Sequence, residues 1–162
     1  MERVFFELNS YYESILFYHY KKVALLIPNF VYSKKVKMKI KEIISVLEEM
    51  APLAYAEDFD NVGLLVGDKN SEASGVLVCH DALETVIEEA IAKKCNLVVC
   101  FHPILFSGLK KITGKNYVER AIIKAIKNDI AIYAVHTALD NHQEGVNKIF
   151  CDALCLTNTK IL

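Results

Sequence analysis

The chain has 162 residues, 53% hydrophobic and 24% charged, with a formal net charge of −1. That length suffices for one domain with its own core, and the apolar content is too high for a disordered chain. No run of about 18 uncharged apolar residues offers a membrane span, and with residues 1–37 at +3 and residues 38–162 at −4 the main body lacks the broad basic field of a nucleic-acid binder.

The first 37 residues differ from the rest. They hold nine of the sixteen aromatics, Tyr11, Tyr12, Phe17, Tyr18 and Tyr20 among them, and then "VALLIPNFVY", interrupted by Pro28, with no clean period. The acidic and polar residues of "MERVFFELNSYYES" stand where a signal peptide would have its apolar centre. The segment reads as a poorly specified extension of the kind an upstream start codon would add, with a partner-binding arm as the alternative.

From Met38 the pattern becomes regular. "KIKEIISVLEEMAP" sets Ile40, Ile43, Ile44, Leu47 and Met50 at helical spacing, and Pro52 marks a stop. "NVGLLVG" reads as a strand whose glycines suit an edge or a bulge. Then "SGVLVCHD" predicts a strand, "LETVIEEAIAKK" a helix, "NLVVCFH" a strand, "NYVERAIIKAIKN" a helix, "DIAIYAVH" a strand and "QEGVNKIFCDAL" a helix. Apolar strands joined by helical crossovers define an α/β fold, a mostly parallel sheet with helices on both faces.

The five cysteines are an odd number with no Cys-x-x-Cys pair. They read as small buried hydrophobes in a reducing compartment, which suits the cytoplasm.

Four of the five histidines stand at or just beyond predicted strand ends: His80 before Asp81, His102 before Pro103, and His136 with Asp140 and His142 following. In a parallel sheet those carboxyl ends share one edge, where open α/β sheets place their ligands. Imidazole and carboxylate together suit divalent zinc, iron, nickel or manganese. Each residue also has an ordinary role. His102 can cap or sit in the core, His80 can pack at a strand end, Asp81 can N-cap the next helix, His136 with Thr137 can finish a strand, and Asp140 with Asn141 can make a turn. Their joint occurrence is what points to a site.

No nucleophile elbow, P-loop or dinucleotide-binding turn is present. "SGLKKITGKN" is a basic loop in which Lys110 and Lys111 could meet a phosphate or another substrate anion, with a solvated turn as the plainer reading. Cys100 is expected on the opposite side of its strand from His102, which argues against a Cys-His nucleophile.

"EDFDNVGLLVGD" (57–68), "CFHPILFSGLKKITGK" (100–115) and "VHTALDN" (135–141), in that order after "MKIKEII", resemble the GTP cyclohydrolase 1 type 2 homologues, also called the NGG-interacting-factor-three-like family. The resemblance covers residues 38–162. It implies the first half of a larger α/β fold, a toroidal homohexamer and a two-metal site. Family ligands come from a His-His-Pro motif, the aspartate of a His-Thr-x-x-Asp motif and a C-terminal His-x-x-x-Glu pair. His102 and Asp140 match two of these ligands, and His136 matches the histidine beside the metals.

Two departures follow. Phe101 stands where many members have the first histidine, and no His-x-x-x-Glu pair follows Asp140 within the sequence, which stops at Leu162. The implied divalent-metal site is incomplete in this chain, as in a truncated domain or a reduced form. The resulting expectation is a metal-assisted hydrolase of an unspecified small molecule in its complete form. The alternative is a non-catalytic oligomeric scaffold or regulatory module with a degenerate site.

Overall fold

The structure, a computed structural model, describes residues 4–7 and 37–160; the rest of the N-terminal extension, with its aromatic cluster and the run around Pro28, lies outside the described residues. The elements are β1 (Val4–Glu7), α1 (Ile40–Met50), a 3-10 turn (Leu53–Tyr55), β2 (Gly63–Val66), β3 (Gly75–Asp81), α2 (Glu84–Ala92), β4 (Leu97–His102), α3 (Tyr117–Lys127), β5 (Ala131–Ala134), α4 (His136–Asp140) and α5 (Val146–Ala153).

One five-stranded sheet runs in the order β1-β3-β4-β5-β2. The central strands β3, β4 and β5 are parallel, and β1 and β2 pair antiparallel on the two edges. Because the parallel strands follow one another in a single direction, crossovers of one hand place α2 and α3 on the same face. That leaves the opposite face to α1.

Strand alternation shows in the two cores. Leu77, Val98, Cys100, Ile132 and Ala134 pack with Val86, Ile87 and Ala90 of α2 and with Ala121, Ile122 and Ala125 of α3. The intervening residues Val76, Leu97, Val99, Ala131 and Tyr133 pack with Ile40, Ile43 and Ile44 of α1. Each fully buried aliphatic side chain contributes about 1.5–3 kcal/mol. The α/β class expected from the apolar runs is therefore the one observed.

Two elements depart from the sequence pattern. β1 arises within the extension that showed no period; its register, Val4 opposite Val78 to Glu7 opposite Gly75, is set by pairing along the otherwise open edge of β3. The predicted strand "DIAIYAVH" ends at Ala134, and His136 opens the one-turn helix α4 instead of finishing a strand.

The first donors of α1 are satisfied from outside the helix. Ile40 and Lys41 N–H donate to the Ser71 and Lys69 carbonyls at 2.9 and 2.8 Å. Across the other face, Glu84 accepts from Arg120 and Lys124 at 2.9 and 3.1 Å, tying α2 to α3.

The Tyr133 ring is 1% exposed, and its hydroxyl has no hydrogen-bond partner among the described residues. Burial, helped by the negative charge of Glu48, pushes the phenol up to about 12. Replacing Tyr133 with phenylalanine is expected to raise stability by about 1 kcal/mol, since a buried unsatisfied group is removed with little change of shape. Because burial disfavours the phenolate, the fold keeps its stability below the phenol's ordinary value near 10 and loses some of it as pH rises toward 12. Alkaline denaturation curves of the two proteins should therefore diverge above pH 10 or so, and superimposable curves would refute the assignment.

A candidate metal centre at the carboxyl edge of the sheet

The parallel register places Cys79 beside Cys100 and Asp81 beside His102, so β3 and β4 end together. Asp81 is not the helix cap expected from sequence: the N-cap of α2 is Leu83, and no side chain caps that helix. Instead the Asp81 carboxylate divides its two oxygens between imidazoles. His102 Nδ1 lies 2.8 Å from Oδ1 and His80 Nδ1 lies 3.1 Å from Oδ2. Hydrogen bonds from His102 first, then His80, hold Asp81 below the usual carboxylate range. An ionised carboxylate only accepts, so each Nδ1 is the donor in its pair, which leaves Nε2 as the ring nitrogen turned away from Asp81.

The ligand atoms of His80, Asp81 and His102 all lie within 4.8 Å of one another, a set that could hold a metal ion. His80 and His102 meet edge to face with ring centroids 4.3 Å apart, and His136 stands 5.2 Å from His102. Phe101 stacks on His80 at 5.4 Å and meets His136 edge-on at 5.4 Å. Three imidazoles thus surround one phenyl ring, which gives the group an apolar wall.

His136 is held by a residue the sequence reading did not single out. Asp60, whose side chain is fully buried, receives His136 Nδ1 at 2.8 Å, the Thr137 N–H at 3.1 Å and the Thr137 hydroxyl on one oxygen. Asn61 N–H donates to the other oxygen at 2.7 Å. Burial alone would raise the Asp60 carboxyl, but the donors from Thr137, His136 and Asn61 outweigh it and hold the group low. The only signal in the sequence was its position inside "EDFDNVG".

Asp140 ends α4. Burial, with the charge of Asp60, raises its carboxyl above the ordinary value, against the opposing pull of His136 and His102. It shares their electrostatic field but is not one of the three residues grouped within 4.8 Å. His142, two residues on, stacks against Tyr55 at 5.9 Å.

Lys110 and Lys111 are exposed in the loop after β4. That loop is anchored by Glu119, only 6% exposed, whose carboxylate accepts from Thr113 N–H, Thr113 Oγ1 and Lys115 N–H at 2.8, 2.9 and 3.0 Å. Among the described residues no hydrogen bond or ion pair links either lysine to the histidines.

Cys100 shares the alternation of Val98 and His102, so it does not face away from His102 as expected. It is nonetheless a poor nucleophile, because burial above all pushes its thiol up to about 12 while its sulfur donates to the Tyr133 carbonyl at 3.4 Å. None of the five cysteines is in a disulfide; Cys95 and Cys100 are buried as expected, whereas Cys79 and Cys151 are half-buried and Cys155 is exposed, so the expectation of buried small hydrophobes holds for two of the five.

The GTP cyclohydrolase 1 type 2 homolog of Clostridium acetobutylicum is 39% identical over 125 residues, covering 77% of this chain and 47% of that protein. The Bacillus subtilis protein of the same name is 42% identical over 122 residues, covering 75% and 33%. The crystal structure of a Bacillus cereus protein related to NIF3 superposes with a TM-score of 0.72 at 40% identity, covering 77% of this chain and 35% of that one. The chain thus spans between a third and a half of the length of the relatives it matches. The model of the Duf34/NIF3 (NGG1p interacting factor 3) family matches residues 38–162, and the chain belongs to that family.

Proposed function

We propose that residues 38–162 form the metal-binding part of a hydrolase-like family protein, with a divalent ion held at His102 and Asp140. The observation that carries this reading is the Asp81–His102 pair at 2.8 Å, which holds the ring at the sheet edge through Nδ1 and leaves Nε2 to serve an ion. The donor set suits such an ion, since imidazole and carboxylate are its ordinary ligands. When bound, it supplies Lewis acidity, activating water and polarising the group attacked. The chain's own residues orient and shield: Asp60 positions His136, Asp81 positions His102, and Phe101 keeps water from one side.

The substrate is a small molecule, and Lys110 and Lys111 offer it positive charge. The assembly is a homo-oligomer, hexameric by family resemblance, in the cytoplasm. Cysteines outside any disulfide support that compartment, and the exposed Ile149, Phe150 and Leu154 of α5 and its following turn support association. No helix among the described residues is long and apolar enough to cross a membrane.

Phe101 favours a second reading, a non-catalytic oligomeric scaffold or regulatory module, because a phenyl ring cannot ligate. Equilibrium dialysis against zinc separates the two. Under the first reading His102→Ala and Asp140→Ala each weaken zinc binding about tenfold or more. Unchanged binding in both variants, with an oligomer that survives a chelator, would establish the second.

A further inference from the structure

We propose that His80 is a metal ligand, so that His80 and His102, clamped by the two oxygens of Asp81, form a two-imidazole grip for a zinc-class divalent ion. This rests on the metal-binding reading above but adds a ligand from a different strand.

The clamp has the form that metal sites use to orient histidine. A carboxylate on Nδ1 fixes the tautomer, stops the ring turning and makes Nε2 more basic. Here a single carboxylate does this for two rings on adjacent strands, at 3.1 Å to His80 and 2.8 Å to His102. Both bonds to Asp81 are made through Nδ1, so neither uses Nε2. The side chains are 40% and 44% exposed, so an ion can reach them from solvent.

Asp81 is therefore the positioning residue of the group. Its oxygens are already committed to the two Nδ1 protons, while the ligand-capable lone pairs lie on the rings. Phe101 supplies the packing that keeps them together, stacked at 17° against His80 and 5.1 Å from His102. Two imidazole nitrogens beside an apolar wall favour borderline ions such as zinc, cobalt or nickel over magnesium or calcium, which take oxygen ligands.

The plainer alternative is that His80 only packs on Phe101 and donates to Asp81. His80→Asn distinguishes the two, because its amide can still donate to Asp81 where Nδ1 did but offers nothing in place of Nε2. The full chain, stripped of metal, would be titrated with cobalt and its d–d absorption followed, with zinc competition and with millimolar magnesium as the control. The expected result is a cobalt spectrum in the parent chain that magnesium does not displace, and binding about tenfold or more weaker in both His80→Asn and His80→Ala. Metal-free melting temperatures should stay close to the parent's, since the side chain is half exposed. If His80→Asn binds cobalt within about twofold of the parent while His102→Ala does not, His80 is no ligand and the wider metal-binding reading stands. If the parent chain itself gives no cobalt spectrum, both fall.

Discussion

Asp60→Ala is expected to destabilise the fold by about 3 kcal/mol, because it leaves several buried donors without an acceptor. The carboxylate receives His136 Nδ1, Thr137 N–H, the Thr137 hydroxyl and Asn61 N–H, and its side chain is fully buried. Water cannot replace it without opening the contact. The neighbouring bonds should loosen as well: Glu57 N–H donates to Thr137 Oγ1 at 3.0 Å, Asn141 Nδ2 donates to the Tyr55 carbonyl at 2.9 Å, and Asn61 Nδ2 donates to the Leu105 carbonyl. Hydrogen exchange should therefore quicken across residues 55–61 and α4 while the β3–β4 core stays protected.

The pH dependence has a definite sign. The Asp60 carboxyl is held below its ordinary value of 3.8, so its contribution is present above that value and is lost as pH falls through the lower folded-state value. The parent chain should lose this part of its stability below pH 4 or so, and Asp60→Ala should lack it. Equal urea midpoints at neutral pH would show that Asp60 does not hold the loop.

Gly67→Val is expected to be comparably severe, at about 3 kcal/mol. Gly67 follows β2, whose pairing with β5 is shifted between Leu64 and Val66. Its φ is +97°, and an added Cβ would lie 2.6 Å from Ala131 Cα and 2.8 Å from Ala131 Cβ. The obstacle is the backbone of a strand whose next residues, Ile132 and Tyr133, lie in the two cores. It cannot swing aside as a flexible side chain would. Gly108→Ala is the matched control, since a Cβ there meets nothing within 4 Å and should change stability by less than about 0.5 kcal/mol. A Gly67→Val urea midpoint as little altered as that of Gly108→Ala would contradict the close approach of β2 and β5.

The sequence was legible where one residue type repeats at one spacing. Ile40, Ile43 and Ile44 identified the buried face of α1, and "NLVVCF" identified a strand packed on both sides, because burial imposes periods of 3.6 and 2.0 directly on the chain. It was less legible where a short apolar run had no period. "DIAIYAVH" reads as strand to its end, yet the ladder stops at Ala134 and the next residues coil into α4, whose Thr137 and His136 are held by Asp60. The structure gives no reason within α5 itself for its apolar residues, since none of them is buried.

By itself, then, the sequence determined the α/β class, the order of the central elements and the gathering of histidines at strand ends, all of which follow from local periodicity and from the parallel direction of consecutive strands. Only the tertiary structure decided what the carboxylates do. In sequence Asp81 reads as a helix cap, but the register of β3 and β4 sets it between His80 and His102. Asp60 meets His136 across 76 positions of chain. A carboxylate's partner is chosen by which donors the fold brings within about 3 Å, and no spacing along the chain encodes that distance.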